Sequence, residues 1–388
     1  MDVGGLQMRE VAVITGTRAE YGVLVPLLEA IDRSKALRLS LIATSMHLSE
    51  DFGHTVEDIE SDGFHVDFAV KTLSRDDSNA GMAISIGRCL EGMAEAFKAT
   101  SPDIVVVTGD RGEMLAAALA GMYMNVPVAH VHGGDVSGSV DDSIRHAITK
   151  VAHVHLVATR VHEHRILRMG EEPWRVHRVG TLALDSLRRA ERIPDGELER
   201  RYGVDLSEPL ALMIQHPVTT DSKRAGDQAR MTLDALADLG CQTIVVYPNA
   251  DSGGRRIIRA IEERAGGPLF HIERSVPHVD FINLMRVANV MVGNSSAGII
   301  EAPFFHLPVV NIGPRQDGRE RARNVIDVGY SRREILAALR KAVHDERFAR
   351  SLQGLRNPHG GGDTSQRIVR LLRTIKLTRR LLEKRMSY

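Results

Sequence analysis

Residues 132 to 153 read HGGDVSGSVDDSIRHAITKVAH, placing His132, His146 and His153, Asp135, Asp141 and Asp142, and Arg145 and Lys150 around a glycine-rich turn. Imidazoles and carboxylates are the groups that move protons near neutral pH, one as base and one as acid where their surroundings differ. Ile144, Ala147, Ile148, Val151 and Ala152 recur at helical spacing, so a helix is predicted from about residue 142. Asp141 and Asp142 then cap it, and Arg145 and His146 sit near its start, off the apolar stripe. Gly133, Gly134 and Gly138 let the preceding loop fold close against a ligand, while Lys150 and His153 suit a solvated face. His130, His132 and Asp135 have metal-ligand chemistry, but no cysteine pair or HExxH completes a zinc site, so no metal is expected.

Other loops carry related chemistry. TGTRAEYG (15–22) offers Gly16 for a tight turn and Arg18 as a fork for phosphate or carboxylate. TGDRGE (108–113) brings Asp110, Arg111 and Glu113, with Asp110 equally able to cap a helix or to act in catalysis. QHPVTTD (215–221) sets His216 at a strand edge, and YPNADSGG (247–254) suits a turn or a close ligand approach. In GNSSAGIIEAPFFHLPVVNIGPRQDGRE (293–320), Ser295, Ser296 and Gly298 open a helix whose N-terminus favours a diphosphate. Glu301 is spaced to accept from ribose hydroxyls, and Arg315 and Arg319 supply positive charge.

The elements that must position these loops alternate. Apolar β-branched runs occur at 10–15, 37–43, 64–70, 103–109, 126–131 and 154–159, and again at 210–215, 242–248, 268–273, 288–293 and 307–313, with helical segments between. Continuous apolar strands joined by helices imply parallel sheets covered on both faces. The expected fold is α/β with two Rossmann-like doubly wound domains facing across a cleft: residues 1–185 carrying the acid and base groups, and 186–363 holding a nucleotide. PHGGGD (358–363) breaks the chain before a last helix, about 364–388, expected to return to the first domain.

The chain has 388 residues, enough for two cores, and is 43% hydrophobic and 26% charged, as an ordinary globular protein is. Fifty basic residues balance fifty acidic ones, so no overall field draws it to nucleic acid or an acidic membrane. The basic tail TIKLTRRLLEKRMSY reads as an amphipathic helix with a solvated face. Cys89 and Cys241 form no disulfide framework, and neither a signal peptide nor a long apolar span is present, which makes a cytoplasmic location the expectation.

TGTRAEYG, GDRGE, HGGDVSGSVDDSIRHAITK, QHPVTTD, GNSSAGIIE and GPRQDGRE together resemble, in order and over nearly the whole chain, the hydrolysing UDP-N-acetylglucosamine 2-epimerases of the bacterial sialic-acid type and of the animal bifunctional enzyme. The resemblance implies a GT-B-like arrangement with a nucleotide sugar in the cleft, Ser295, Ser296 and Glu301 on diphosphate and ribose, and His216, Arg315 and Arg18 assisting. It implies anti elimination of UDP to a 2-acetamidoglucal, then hydration to N-acetylmannosamine, with no cofactor. Asp110 and Asp141 match the family's catalytic carboxylates. His132 stands where some relatives have glutamate and Asp135 where many read HGGE, which leaves His132, Asp135 and Glu113 as candidates for the remaining acid or base role. The family also suggests a homodimer or homotetramer. Alternatives are the same reaction on a nucleotide-linked 2,4-diacetamido-2,4,6-trideoxyglucose, a non-hydrolysing epimerase, whose loop resembles VEAGLRT instead, a GT-B glycosyltransferase and a non-catalytic sensor.

Overall fold

The computed structural model describes residues 8–387 apart from 75, 77, 137–139, 265–266 and 361, so Gly138 lies outside the described residues. Seven strands form the first sheet: β1 (Arg9–Thr15), β2 (Leu37–Thr44), β3 (Phe68–Val70), β4 (Ile104–Thr108), β5 (Val128–Val131), β6 (Val154–Val157) and β7 (Val176–Arg178). Six form the second: β8 (Leu210–Ile214), β9 (Gln242–Val246), β10 (Phe270–Glu273), β11 (Val290–Gly293), β12 (Val309–Ile312) and β13 (Val325–Val328). Their orders are β3-β2-β1-β4-β5-β6-β7 and β10-β9-β8-β11-β12-β13, and the pairings are parallel. This is the doubly wound α/β fold, present twice.

Helices cover both faces of each sheet, so β4 (IVVVT) and β8 (LALMI) are buried at every residue and read as unbroken apolar runs. In the first half Val13, Leu24 and Leu156 pack on one face, and Ile14, Met93 and Val107 on the other. In the second, Met213, Leu233 and Val292 oppose Leu212, Ile282 and Leu307. The sequence reading missed β7 and β13. Both are edge strands of three or four residues, half-exposed and carrying charged side chains, so they lack the apolar run that marks a central strand.

In each sheet the chain runs outward one way from the first strand, then returns to run the other way. The switch points lie between β1 and β4, and between β8 and β11. Loops at such points open a crevice at the strands' C-terminal ends.

The C-terminal segment crosses to the first half. Helix Thr364–Thr374 begins where the Asp185 carboxylate accepts from the N–H groups of Thr364 (3.1 Å) and Ser365 (2.7 Å), and its Ile368 and Leu372 join the core beside Leu24 and Leu28. The tail is not one continuous helix. It stops at Thr374, where Thr374, Ile375 and Thr378 have β-branched side chains that favour extended backbone, and resumes as the single turn Arg379–Leu382. Nor is its basic face wholly solvated, because Lys384 turns inward. No helix among the described residues is long and apolar enough to cross a membrane.

Candidate active site

The two switch points face each other across a cleft of about 320 Å³. One wall comes from the first half: Arg18 after β1, Asp110 after β4, His132 after β5, and Asp141 on helix Val140–Val151. The facing wall comes from the second: His216 after β8, Ser295 and Ser296 after β11, Glu301, and Arg315 after β12. Nine residues expected from sequence thus meet at one place.

The remaining expected residues stand behind these. Arg145, one turn beyond Asp141 and only 1% exposed, contacts the Asp110 carboxylate directly and reaches Asp142 at 3.1 Å. Arg319 bridges Asp135 (3.1 Å) and Asp110 (3.4 Å) from the second half, so Asp135 acts on the cleft through an arginine. Asp135 also meets the ring of His162 at 3.4 Å. His146 is half-buried and pairs with Asp142 at 3.5 Å. Glu113 accepts from Ser45 at 2.6 Å and approaches Arg111 at 3.4 Å, in a smaller neighbouring cavity. Gly298 packs against β12, where an added Cβ would lie 2.9 Å from Val309. Its smallness serves that helix-to-strand approach.

Two aspartates in the cleft hold their protons with opposite tendencies. Burial works to raise the pKa of Asp110, but Arg145, Arg319 and Arg315 outweigh it and hold the group below the ordinary carboxylate value. For Asp141 burial wins, reinforced by the negative charges of Asp110 and Asp251 against the opposing Arg315, 3.0 Å away, and its pKa is raised. Asp110 therefore presents a carboxylate and Asp141 the better proton carrier. Separation of this kind is how a pair of acids divides acid and base duties.

The histidines of the cleft are neutral. Burial pushes His132 down to about 4, with His162 and His359 adding to the effect. Its Nε2 accepts from the Leu182 N–H at 3.4 Å and lies 3.1 Å from the Thr181 hydroxyl. His132 holds φ of 66°, an uncommon conformation for a side chain of this size. His216 is lowered to about 3 by burial and Arg315. Its Nδ1 accepts from the Asn249 N–H at 3.0 Å, which leaves Nε2–H as a donor. His130, considered above beside metal ligands, instead donates from Nε2 to the Gly109 carbonyl at 2.8 Å.

On the second wall, Asn294 clamps the two strand-end loops, accepting from His216 N (2.7 Å) and donating to His216 O (2.9 Å). Gly293, at φ 122°, permits this approach, since a Cβ there would sit 2.0 Å from the Ile214 carbonyl. The helix expected to open at Ser295 is a single turn, Ala297–Ile300, followed by a 3₁₀ segment with Pro303 in its first turn. The two serine hydroxyls, rather than a long helix dipole, are what it offers an anion, since the N–H groups of Ala297 and Gly298 already donate to the hydroxyl (3.4 Å) and carbonyl (3.2 Å) of Ser295.

The sequence reading missed Glu20, which lines the cleft, accepts from Gly16 N at 3.1 Å and is pushed by burial up to about 8. Its place two residues after Arg18 in TGTRAEYG was the available signal. Thr181 and Ser275, the latter accepting from Arg18 at 3.2 Å across the cleft, carry no local signal.

A family model described as UDP-N-acetylglucosamine 2-epimerase matches residues 29–373. A Legionella pneumophila protein named UDP-N,N′-diacetylbacillosamine 2-epimerase (hydrolyzing) is 38% identical over 381 residues, 98% of this chain and 100% of its own. The Neisseria meningitidis UDP-N-acetylglucosamine 2-epimerase is 32% identical over 357 residues, 92% of each chain. The crystal structure of a UDP-GlcNAc 2-epimerase from Neisseria meningitidis bound to UDP-GlcNAc matches with TM-score 0.80 at 17% identity, over 94% of this chain and 99% of that one, and so shares the GT-B-like fold. The family model spans most of the chain and the Legionella relative runs its full length, so the chain belongs to the UDP-N-acetylglucosamine 2-epimerase family of enzymes.

Proposed function

We propose that the protein is a hydrolysing 2-epimerase of a UDP-linked 2-acetamido sugar, and that this sugar is N,N′-diacetylbacillosamine, a 2,4-diacetamido-2,4,6-trideoxyglucose. The observation that carries the reaction class is the pair Asp110 and Asp141, brought to one wall of the cleft with proton affinities driven apart. Higher identity to the Legionella relative, 38% against 32% for the Neisseria one, supports the choice of sugar. UDP-N-acetylglucosamine, converted to N-acetylmannosamine, is the second reading.

In this reading the diphosphate lies against Ser295, Ser296, His216 Nε2–H and Arg315, and the ribose against Glu301. The C1–O bond to UDP breaks first, because the C2 proton is hardly acidic until positive charge develops at C1, and donors aimed at the departing diphosphate stabilise that step. Asp110 accepts the C2 proton, giving the 2-acetamidoglucal. Asp141 protonates C2 from the other face and water adds at C1, releasing the free 2-epimer. Arg315 links the two events: as it turns to the diphosphate it leaves Asp141, which then holds its proton more firmly.

Proton NMR in D₂O with each nucleotide sugar separately tests this. Release of UDP and the free 2,4-diacetamido-2,4,6-trideoxymannose with deuterium at C2 is expected, faster than N-acetylmannosamine from UDP-N-acetylglucosamine. Faster turnover of the latter transfers the assignment to the second reading. A nucleotide-linked epimer as product would sink the hydrolytic one.

A further inference from the structure

Helix Val140–Val151 carries Asp141 in its first turn and Arg145, the partner of Asp110, one turn later. Twelve residues at 1.5 Å per residue make it about 18 Å long. Its C-terminal end is far from the cleft, and the last carbonyls of a helix have no partner within it. Here Lys384, from the end of the chain, donates to the carbonyls of Thr149 (3.0 Å), Lys150 (2.8 Å) and Ala152 (2.7 Å). The same ammonium lies 2.7 Å from Glu171, a carboxylate 1% exposed that also holds His155 at 3.0 Å and Lys150 at 3.1 Å. A positive charge at this end of the helix also has the favourable sign for the helix dipole.

The strap that delivers Lys384 is itself fastened. Arg175, fully buried, donates to the carbonyls of Leu381 (2.7 Å), Arg380 (3.0 Å) and Glu383 (3.1 Å), and to that of His153, just past the helix, at 3.1 Å. Leu381 is 1% exposed within the first core, and Ser387 donates from its N–H to Gly170 at 2.9 Å. Residues 379–387 thus close over the far end of the helix whose near end carries Asp141 and Arg145, the partner of Asp110.

We infer that Lys384 is a positioning residue: the C-terminal strap sets the axial position of helix Val140–Val151 and thereby the placing of Asp141, and of Asp110 through Arg145. This rests on the reading of Asp110 and Asp141 as the proton-transfer pair. An α-helix is stiff along its axis, so a shift at one end appears at the other. Misplacing catalytic groups by about 1 Å from a remote site costs up to about 10²-fold in rate.

The test compares Lys384→Met, Lys384→Arg, Asp110→Asn and Asp141→Asn in the full-length protein. UDP release is measured from whichever of the two nucleotide sugars is turned over, with kcat expressed per UDP-binding site counted by calorimetry. Lys384→Met is expected to lower kcat about 10-fold or more, leave KM and UDP affinity within about 2-fold, and raise the isotope effect on kcat with C2-deuterated substrate, as proton transfer becomes slower than the other steps. Lys384→Arg, which keeps charge and donors, is expected to recover most of kcat. Should Lys384→Met not fold, Lys384→Gln replaces it, with the same expectation. An unchanged kcat per site and isotope effect, with both aspartate variants inactive, overturns the strap's role and leaves the acid and base assignment standing. A fully active Asp110→Asn overturns that assignment and the inference with it.

Discussion

Glu301 lies 7% exposed on the cleft wall of the second half, and burial pushes its carboxyl up to about 7. A carboxyl whose pKa is higher folded than unfolded stabilises the fold fully below the unfolded value, here 4.5, and that stability is lost as pH rises through about 7. The shift corresponds to an amount on the order of 3 kcal/mol, spent keeping an anion ready in a dry place. Glu301→Gln mimics the protonated form without titrating. The ligand-free variant is therefore expected to match wild type near pH 4.5 and to exceed it in urea unfolding at pH 8.5 by up to about that amount, while binding UDP more weakly. A stability difference equal at both pH values would show that ionisation of Glu301 is not the cause. The glutamate's cost to the fold and its proposed use by a ligand have the same origin, a carboxylate deprived of water.

Helix Arg18–Asp32 passes close to the second half at Gly22, where an added Cβ would lie 2.1 Å from the ring of His278, the first residue of helix His278–Val287. Intrinsic propensity favours alanine over glycine inside a helix by about 1 kcal/mol, so Gly22→Ala would ordinarily stabilise. Across this contact it must push the two halves apart at the cleft. We predict that Gly22→Ala lowers kcat/KM about 10-fold and that the loss shrinks in a His278→Gly background, which removes the ring and also the His278 Cβ that the new methyl would meet at 2.3 Å, as a double-mutant cycle measures. An equal loss in both backgrounds would rule out the contact as its source. The legible part of the molecule follows the same division between what is local and what is not. Central strands such as β4 and β8 declare themselves because burial on both faces demands an apolar run, and Asp110, His216 and Ser295 follow because they sit directly after such strands. The edge strands β7 and β13 lack that demand. Glu20 has an unremarkable place in a first helical turn, and only burial beside Glu113 raises its proton affinity. Lys384, in a basic tail, looked solvated because the carbonyls it caps lie more than 230 positions earlier in the chain.

Across the whole molecule, each half completes the other's chemistry. Arg315 and Arg319 belong to the second half, yet they hold Asp141 and the Asp110–Asp135 pair of the first, and Arg111 of the first reaches Asp251 of the second at 3.1 Å. The charge state of Asp110, the proposed base, therefore depends on both halves. Arg319→Gln tests this without touching either cleft aspartate. Removing that guanidinium takes away one of the positive charges that overcome burial at Asp110, so its pKa must rise toward the ordinary carboxylate range or above. Because the base works ionised, the acid limb of kcat/KM is expected to move to higher pH, and activity lost near pH 5 to return in part as pH rises. Asp110→Asn, by contrast, stays inactive at every pH. UDP affinity, measured alongside, should change less than the limb, since Arg319 lies behind the aspartates. An acid limb that stays in place in a folded, UDP-binding Arg319→Gln protein would mean that Arg145 and Arg315 suffice to ionise Asp110 without Arg319. The Arg319 contact between the halves would then shape the cleft without setting its proton chemistry.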